Sequence, residues 1–325
     1  MADFGLAAWL HDITGFRSER DVEAYADRLA EIGYDIFIPC VKNMHGALGF
    51  LTGGGDVNAD YPTWDPLKVL IGACRARGIR VHAWFCVFTE GERSRLLREH
   101  PEFAARFDGG GGHRWSCACR PEVQDYVFEL YRDLTSRYRP DGLHLDYIRT
   151  GAVCTCDYCK DEMARRGVDI TAVLFKDPAY EGWIEWRVSR VTGFVERMRE
   201  FTRSEGLELS AAVYAGEYPD SYCSQAQDWV EWAEKRMVDY LFMMNYTNST
   251  RRAVMRTISH AAWIGDTVAF WEGLGKHSST SRLSTEMLTQ QIRAVLDAGA
   301  RGIVLFHDGA VTDEDIEAIH SLRSS

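Results

Sequence analysis

The amino-acid sequence predicts a (β/α)8 barrel, an α/β fold, and three observations carry that prediction. Short apolar runs rich in β-branched and aromatic residues alternate eight times with longer stretches of helical periodicity. The 325 residues, 46% hydrophobic and 26% charged, can bury a large core, and barrels of this kind use roughly 200 to 400 residues as one domain. The strand ends are unusually polar and aromatic, and barrels carry their chemistry at the carboxyl ends of strands. A single domain is expected across residues 1–325.

Taken in order, the strands are expected at Gly5–Leu10, Ile36–Cys40, Arg80–Phe85, Gly142–Tyr147, Glu208–Tyr214, Tyr240–Asn245, Thr267–Trp271 and Gly302–His307. The helices between and after them are expected at Ser18–Ile32, Pro66–Arg77, Pro121–Tyr138, Gly182–Ser204, Ala226–Lys235, Arg251–Trp263, Thr285–Asp297 and Asp313–Leu322. Punctuation supports several of these. Ser18 and Asp21 open the first helix, Asp65-Pro66 opens the second, and Gly33, Gly78, Gly206 and Gly299 follow helix ends. The competing doubly wound sheet would place a glycine-rich phosphate turn after its first strand, and Trp9-Leu-His11-Asp12 is not one.

Two strand-to-helix connections, residues 86–120 and 148–181, far exceed the usual few residues. Each carries cysteines: Cys117 and Cys119 in the first, Cys154, Cys156 and Cys159 in the second, with Cys40, Cys74, Cys86 and Cys223 scattered. Nine cysteines with C-x-C and C-x-x-C spacing suit a metal site in a reducing compartment better than a disulfide framework. Three thiolates in one short loop need a fourth for tetrahedral zinc, and Cys117 or Cys119 can supply it. Such a closed site would brace the two loops over the barrel mouth; no organic cofactor is expected. The Gly53–Gly55 and Gly109–Gly112 runs read as mobile loop tips without the Lys-Ser/Thr of a phosphate loop.

The positions at the carboxyl ends of the strands supply the site candidates. They are Trp9 and His11, His82 and Trp84, His144, Asp146, Tyr147 and Arg149, Tyr214 and Glu217, Asn245 and Tyr246, Trp271 and Glu272, and Asp308. Period-two alternation puts His144 and Asp146 on one face, and ionisable groups facing a barrel interior need a reason. Asp146 can also be read as a mere ion-pair partner of Arg149, and Glu217 as part of an exposed turn.

The run Asp141-Gly-Leu-His-Leu-Asp146-Tyr-Ile-Arg149 resembles the strand-four signature of the glycosyl-hydrolase-like 10 family of barrel glycosidases. The resemblance continues through Pro121–Tyr126, Trp186-Arg187, Leu209–Tyr214, Gln227-Asp-Trp229, Met244–Tyr246 and Gly302–Phe306. The chain departs from it at Thr150-Gly151 and at Cys117-Ala-Cys-Arg120. The resemblance implies an aspartate on strand four, Asp146, as nucleophile or charge stabiliser, and a later carboxylic acid protonating the leaving oxygen. Glu217 is the first choice for that acid and Glu272 its rival. Glycoside cleavage asks for the same pair, two carboxyl groups flanking the bond. The aromatics, the histidines, Arg149, Asn245 and Asp308 would then bind substrate. The cysteine loop is similar to the zinc loop of family 42 β-galactosidases, which implies Cys117, Cys154, Cys156 and Cys159 as the ligands.

Two other readings remain: a barrel metallohydrolase or isomerase using His11, His82, His144 and Asp308, and a non-catalytic glycan-binding barrel. With 48 acidic against 37 basic residues and a net charge of −11, the chain lacks the electrostatic footprint of a nucleic-acid or anionic-membrane binder. A carbohydrate partner fits the ten tryptophans and 12% aromatic content. The N-terminal residues show no basic stretch followed by an apolar run, which predicts a cytoplasmic protein.

Overall fold

A computed structural model describes residues 4–91, 94–107, 115–173 and 177–324. Eight parallel strands close into a barrel in sequence order. They are β1 (Gly5–Leu10), β2 (Ile36–Lys42), β3 (Arg80–Cys86), β4 (Gly142–Asp146), β5 (Glu208–Tyr214), β6 (Tyr240–Met244), β7 (Ala269–Gly275) and β8 (Gly302–Phe306). β8 pairs back onto β1, with Gly5 opposite Gly302 and Ala7 opposite Val304.

Around the barrel lie α1 (Glu19–Ile32), α2 (Pro66–Ala76), the short α3 (Arg95–Glu99), α4 (Pro121–Tyr138), α5 (Asp157–Ala164), α6 (Pro178–Glu205) and α7 (Tyr218–Gln225). They are followed by α8 (Trp229–Glu234), α9 (Thr250–Ile264), α10 (Thr285–Asp297) and α11 (Asp313–Arg323). The caps follow the sequence signals. Ser18 accepts from Asp21 N, Thr312 and Asp315 form a capping box, and Gly33 and Gly206 close their helices at φ 85° and 69°.

Alternation along each strand separates two cores. Outward residues such as Leu6, Phe37, Val81, Leu143 and Leu209 pack against the helices. Inward residues, among them Trp9, Ile38, Trp84, Phe242 and Trp271, fill the barrel. Large and small alternate around its floor. The Trp271 ring lies over Gly5, where a Cβ would come 2.2 Å from Cζ2, so a side chain there would displace the indole. Among the described residues no helix is long and apolar enough to cross a membrane.

Beyond shifts of a few residues at element ends, several elements depart from expectation. β7 runs to Gly275 rather than stopping at Trp271, because Gly273 and Gly275 continue the strand where a Cβ would meet Trp9 and Ser281. The helix expected at Ala226–Lys235 is shortened to α8 and preceded by α7, since Ala226 turns left-handed (φ 56°) and Asp228 caps the new start. The two long connections contain α3 and α5 as well as loop. Parts of both, and the Gly109–Gly112 run, lie outside the described residues.

Candidate active site

At the carboxyl end of the barrel the strands open into a cavity of about 710 Å³, within the range of small-molecule sites. Its floor is aromatic. Trp9, Trp84, Tyr246 and Phe306 line it, with Tyr246 stacked on Phe306 at 4.9 Å and Trp9 edge-on to Phe306 at 5.9 Å. Tyr147 and Tyr214 form parts of the wall.

Asp146, last residue of β4, is the one carboxylate lining this cavity among the described residues. Its Oδ1 accepts from the Tyr147 N–H at 2.6 Å and lies 3.8 Å from Arg149 Nη1. Burial pushes its carboxyl above the usual range, while the Arg149 guanidinium, the Tyr147 N–H and the Trp84 indole oppose that shift. Tyr147 is held at φ 49°, a left-handed conformation disfavoured for a bulky residue. Such strain concentrates at functional turns, and here it aims the carboxylate next to it. The Arg149 guanidinium packs over the Tyr147 ring at 4.5 Å and near Trp115 at 6.0 Å. Trp84 Nε1 faces Asp146 but lies outside hydrogen-bond geometry, so this buried donor on the cavity wall is left without a close acceptor.

His11 lines the mouth, ringed by Trp84, Phe306 and His307. Burial, and then the neighbouring His307, lowers its pKa to about 4, so it is neutral at physiological pH.

The sequence profile of the glycosyl hydrolase-like 10 family matches residues 47–272, well over half of the chain. The chain belongs to that family. Glycosyl hydrolase DigH of Escherichia coli K12 is 24% identical over 243 residues, which cover 64% of this chain and 52% of that protein. The chain thus spans about half the length of the curated relatives it matches. Among solved structures, the PgaB (BpsB) glycoside hydrolase domain from Bordetella bronchiseptica superposes with a TM-score of 0.76 at 16% identity, covering 98% of both chains. The α-L-fucosidase isoenzyme 2 of Paenibacillus thiaminolyticus has a TM-score of 0.71 at 16% identity, covering all of this chain and 49% of that one. At these identities the likeness is one of fold.

In this glycosyl hydrolase-like 10 barrel, the candidates that meet in the cavity are Trp9, His11, Trp84, Asp146, Tyr147, Arg149, Tyr214 and Tyr246. The others do not. His144 lies one layer below, fully buried. Its Nε2 accepts from Trp9 Nε1 at 3.0 Å, and its Nδ1 bonds Ser210 Oγ at 2.9 Å. An indole N–H only donates, so His144 is neutral with its proton on Nδ1. Burial, followed by His82, keeps it so. His82 is deeper still, between Ser210 and Glu208, and Trp271 fills the floor. Asn245 is buried behind the wall and donates to Ala253 O.

Asp308 and Glu272 face the helices. Asp308 accepts from Tyr25 (2.5 Å) and Tyr34 (3.0 Å), and Glu272 is sealed against α9 by His260 Nδ1 at 2.7 Å. Alternation explains Glu272: inward Trp271 forces its successor outward. Glu217 stands exposed at the start of α7, outside the cavity lining. His11, His82, His144 and Asp308 are therefore not gathered as a metal set. Among the described residues the grouping able to hold a metal is Cys117, Cys154, Cys156 and Cys159.

Those four sulfurs lie within 4.8 Å of one another, with Cys117–Cys159 at 3.6 Å and Cys156–Cys159 at 3.7 Å. A tetrahedron with Zn–S bonds of about 2.3 Å has S···S edges of about 3.8 Å, so the thiolates fit zinc; a disulfide needs about 2.05 Å. Cys119 is buried nearby, outside the four. The cluster joins the two long loops, as do the Phe107–Cys154 bridge and Trp115, which lies where a Cβ on Gly151 would be 2.5 Å away.

Several other family-like residues are struts. Gln227 accepts from Tyr214 N and donates to Ile148 O, and Arg187 donates to Thr150 Oγ1. Sequence reasoning missed Asn43, His45, Thr247, Arg252, Arg256 and Ser278–Thr280 on the cavity wall. One signal was available for the arginines: basic residues in the first two turns of α9 run against the helix dipole.

Proposed function

We propose that the chain, as one catalytic domain over residues 1–325, hydrolyses an O-glycosidic bond of a carbohydrate in this cavity, with Asp146 acting at the anomeric centre. The single carrying observation is Asp146 itself: a buried carboxylate aimed by a strained turn into an aromatic-floored cavity. In the reaction an acid gives its proton to the leaving oxygen as the C–O bond breaks. Asp146 meets the positive charge developing on the sugar, as nucleophile or ion partner, and water supplies the hydroxyl that ends at the anomeric carbon. Trp9, Trp84 and Tyr246 offer apolar faces for sugar rings, and His11 and Arg149 offer polar contacts.

Glu217 is retained as the acid candidate. Tyr214 of the same segment lines the cavity, and protonation requires the 215–217 turn to swing Glu217 inward on substrate binding. Glu272 suits a structural role, since His260 already occupies its carboxylate. Zinc on Cys117, Cys154, Cys156 and Cys159 would hold the two loops together and keep Trp115 against Tyr147 and Arg149. A reducing compartment, the cytoplasm, agrees with nine free cysteines.

The test is turnover of a panel of α- and β-linked glycosides and oligosaccharides. Asp146→Asn should lower kcat by on the order of 10²–10⁴-fold with the fold intact. Full activity of that variant sinks the assignment, and binding without turnover by the unmutated protein would mark a glycan-binding barrel instead.

A further inference from the structure

The chain carries a net charge of −11, yet the cavity is lined by Arg149, Arg252 and Arg256 against one carboxylate. Arg149 belongs to Asp146. The other two have no such account. They sit four residues apart on one face of α9, within its first two turns, where the helix dipole opposes positive charge and the first turn itself holds no acidic residue. Neither makes an ion pair among the described residues, although this protein pairs many of its other arginines. Arg256 is also held in place: its Nη1 donates to Asn245 Oδ1 at 3.3 Å, and Asn245 is anchored in turn on Ala253 O. Burial and the nearby Arg252 charge weaken the hold of Arg256 on its proton more than Tyr214 and Glu272 strengthen it, a residual cost that a bound anion would relieve.

We propose that Arg252 and Arg256 form an anion-binding subsite of the cavity, and that the glycan cleaved here carries an acidic substituent. The inference rests on the glycosidase reading for the reaction, but the subsite itself does not. Two guanidinium groups at the mouth of an otherwise acidic protein, Arg252 exposed and Arg256 half-buried, would attract a polyanionic chain and orient it with the acidic sugar toward α9. The shared chemistry is an oxyanion on a sugar ring. Planar carboxylates and tetrahedral sulfate esters are its two sources.

The experiment uses the intact protein with three matched sets of oligosaccharides: carboxylated, the same chains methyl-esterified, and sulfated. Reducing-end release measures turnover, and quenching of the cavity tryptophans measures binding. Acidic chains should bind at least tenfold more tightly than their esters, with binding weakening as salt rises. Arg252→Gln/Arg256→Gln should raise the KM for the acidic chain tenfold or more with a much smaller change in kcat, and Arg256→Lys should recover part of the loss. Preference for carboxylated over sulfated chains, or the reverse, identifies the source of the anion. Turnover of neutral chains with no acidic preference overturns the subsite and keeps the hydrolase. Selective binding of acidic chains without turnover does the opposite. Binding of neither overturns both. A double variant with an unchanged ratio of acidic to neutral KM also overturns the subsite.

Discussion

Lys42 Nζ lies 2.9 Å from Glu90 Oε1, and both side chains are sealed from solvent. The ammonium also donates to Cys86 O at 2.7 Å and Thr89 O at 2.9 Å, so it ties the end of β2 to the start of the long loop after β3. Glu90 has no hydrogen bond of its own beyond this pairing. Lys42→Met strands a buried carboxylate, and breaking such a pair costs about 3–5 kcal/mol. Urea unfolding of the variant should show a loss of that size, and Lys42→Met/Glu90→Leu should recover most of it. A single variant as stable as the parent would show the pair to be dispensable.

The pH dependence of activity follows from Asp146. Its carboxyl is raised by burial and must be ionised to meet a positive sugar, so activity falls as pH drops through a pKa above the ordinary value of about 3.9. Arg149 opposes the shift. Arg149→Met should move the acidic limb of kcat/KM to higher pH, and a limb that stays put or moves down would contradict the pairing.

Stability should respond in the opposite sense. A carboxyl whose folded pKa exceeds its unfolded one favours the fold only while protonated, and that contribution is lost as pH rises through the folded pKa. Asp146→Asn is therefore expected to raise Tm at neutral pH, with the gain vanishing below about pH 4. Melting curves across pH measure this. A variant with lower Tm at pH 7 would mean that the Tyr147 N–H and Arg149 contacts outweigh desolvation.

Zinc near one equivalent is expected in protein purified without chelator. Cys156→Ser should lower the zinc content and the Tm, and raise KM through the Trp115 and Arg149 wall. Cys223→Ser, exposed and outside the four, should change none of these. Metal-free protein of full stability would refute the site.

Glu217 and Glu272 separate by their variants. Glu272→Leu should lower stability because it strands the buried His260, with kcat little changed in the folded fraction. Glu217→Gln should lower kcat by on the order of 10²-fold if it is the acid, with no loss of Tm. An active Glu217→Gln would move the acid elsewhere.

Strand order, most strand starts and the cysteine site were legible because each rests on local rules. Alternation, caps and thiol spacing are properties of neighbouring residues. Cavity residues such as Trp9, Trp84, Asp146 and Tyr246 follow from position at the carboxyl ends of strands, with alternation pointing Asp146 inward. Alternation could not tell how deep along the barrel an inward side chain sits, which is why His82, His144 and Trp271 were read as cavity residues. Nor did it reveal Glu272 as outward, since β7 was ended two glycines too early. Arg252 and Arg256 come from a helix and Ser278–Thr280 from a loop, places a search of strand ends does not reach.

By itself, then, the sequence determined the barrel, its family and the identity of the buried carboxylate on β4. These follow from periodicity and from a contiguous motif. Tertiary structure decided which polar groups share one cavity: it buried Glu272 against His260, left Glu217 exposed, and brought two arginines of α9 into the cavity that Asp146 lines. Strand stagger and helix docking set those distances, and they depend on packing across the whole barrel rather than on any one segment.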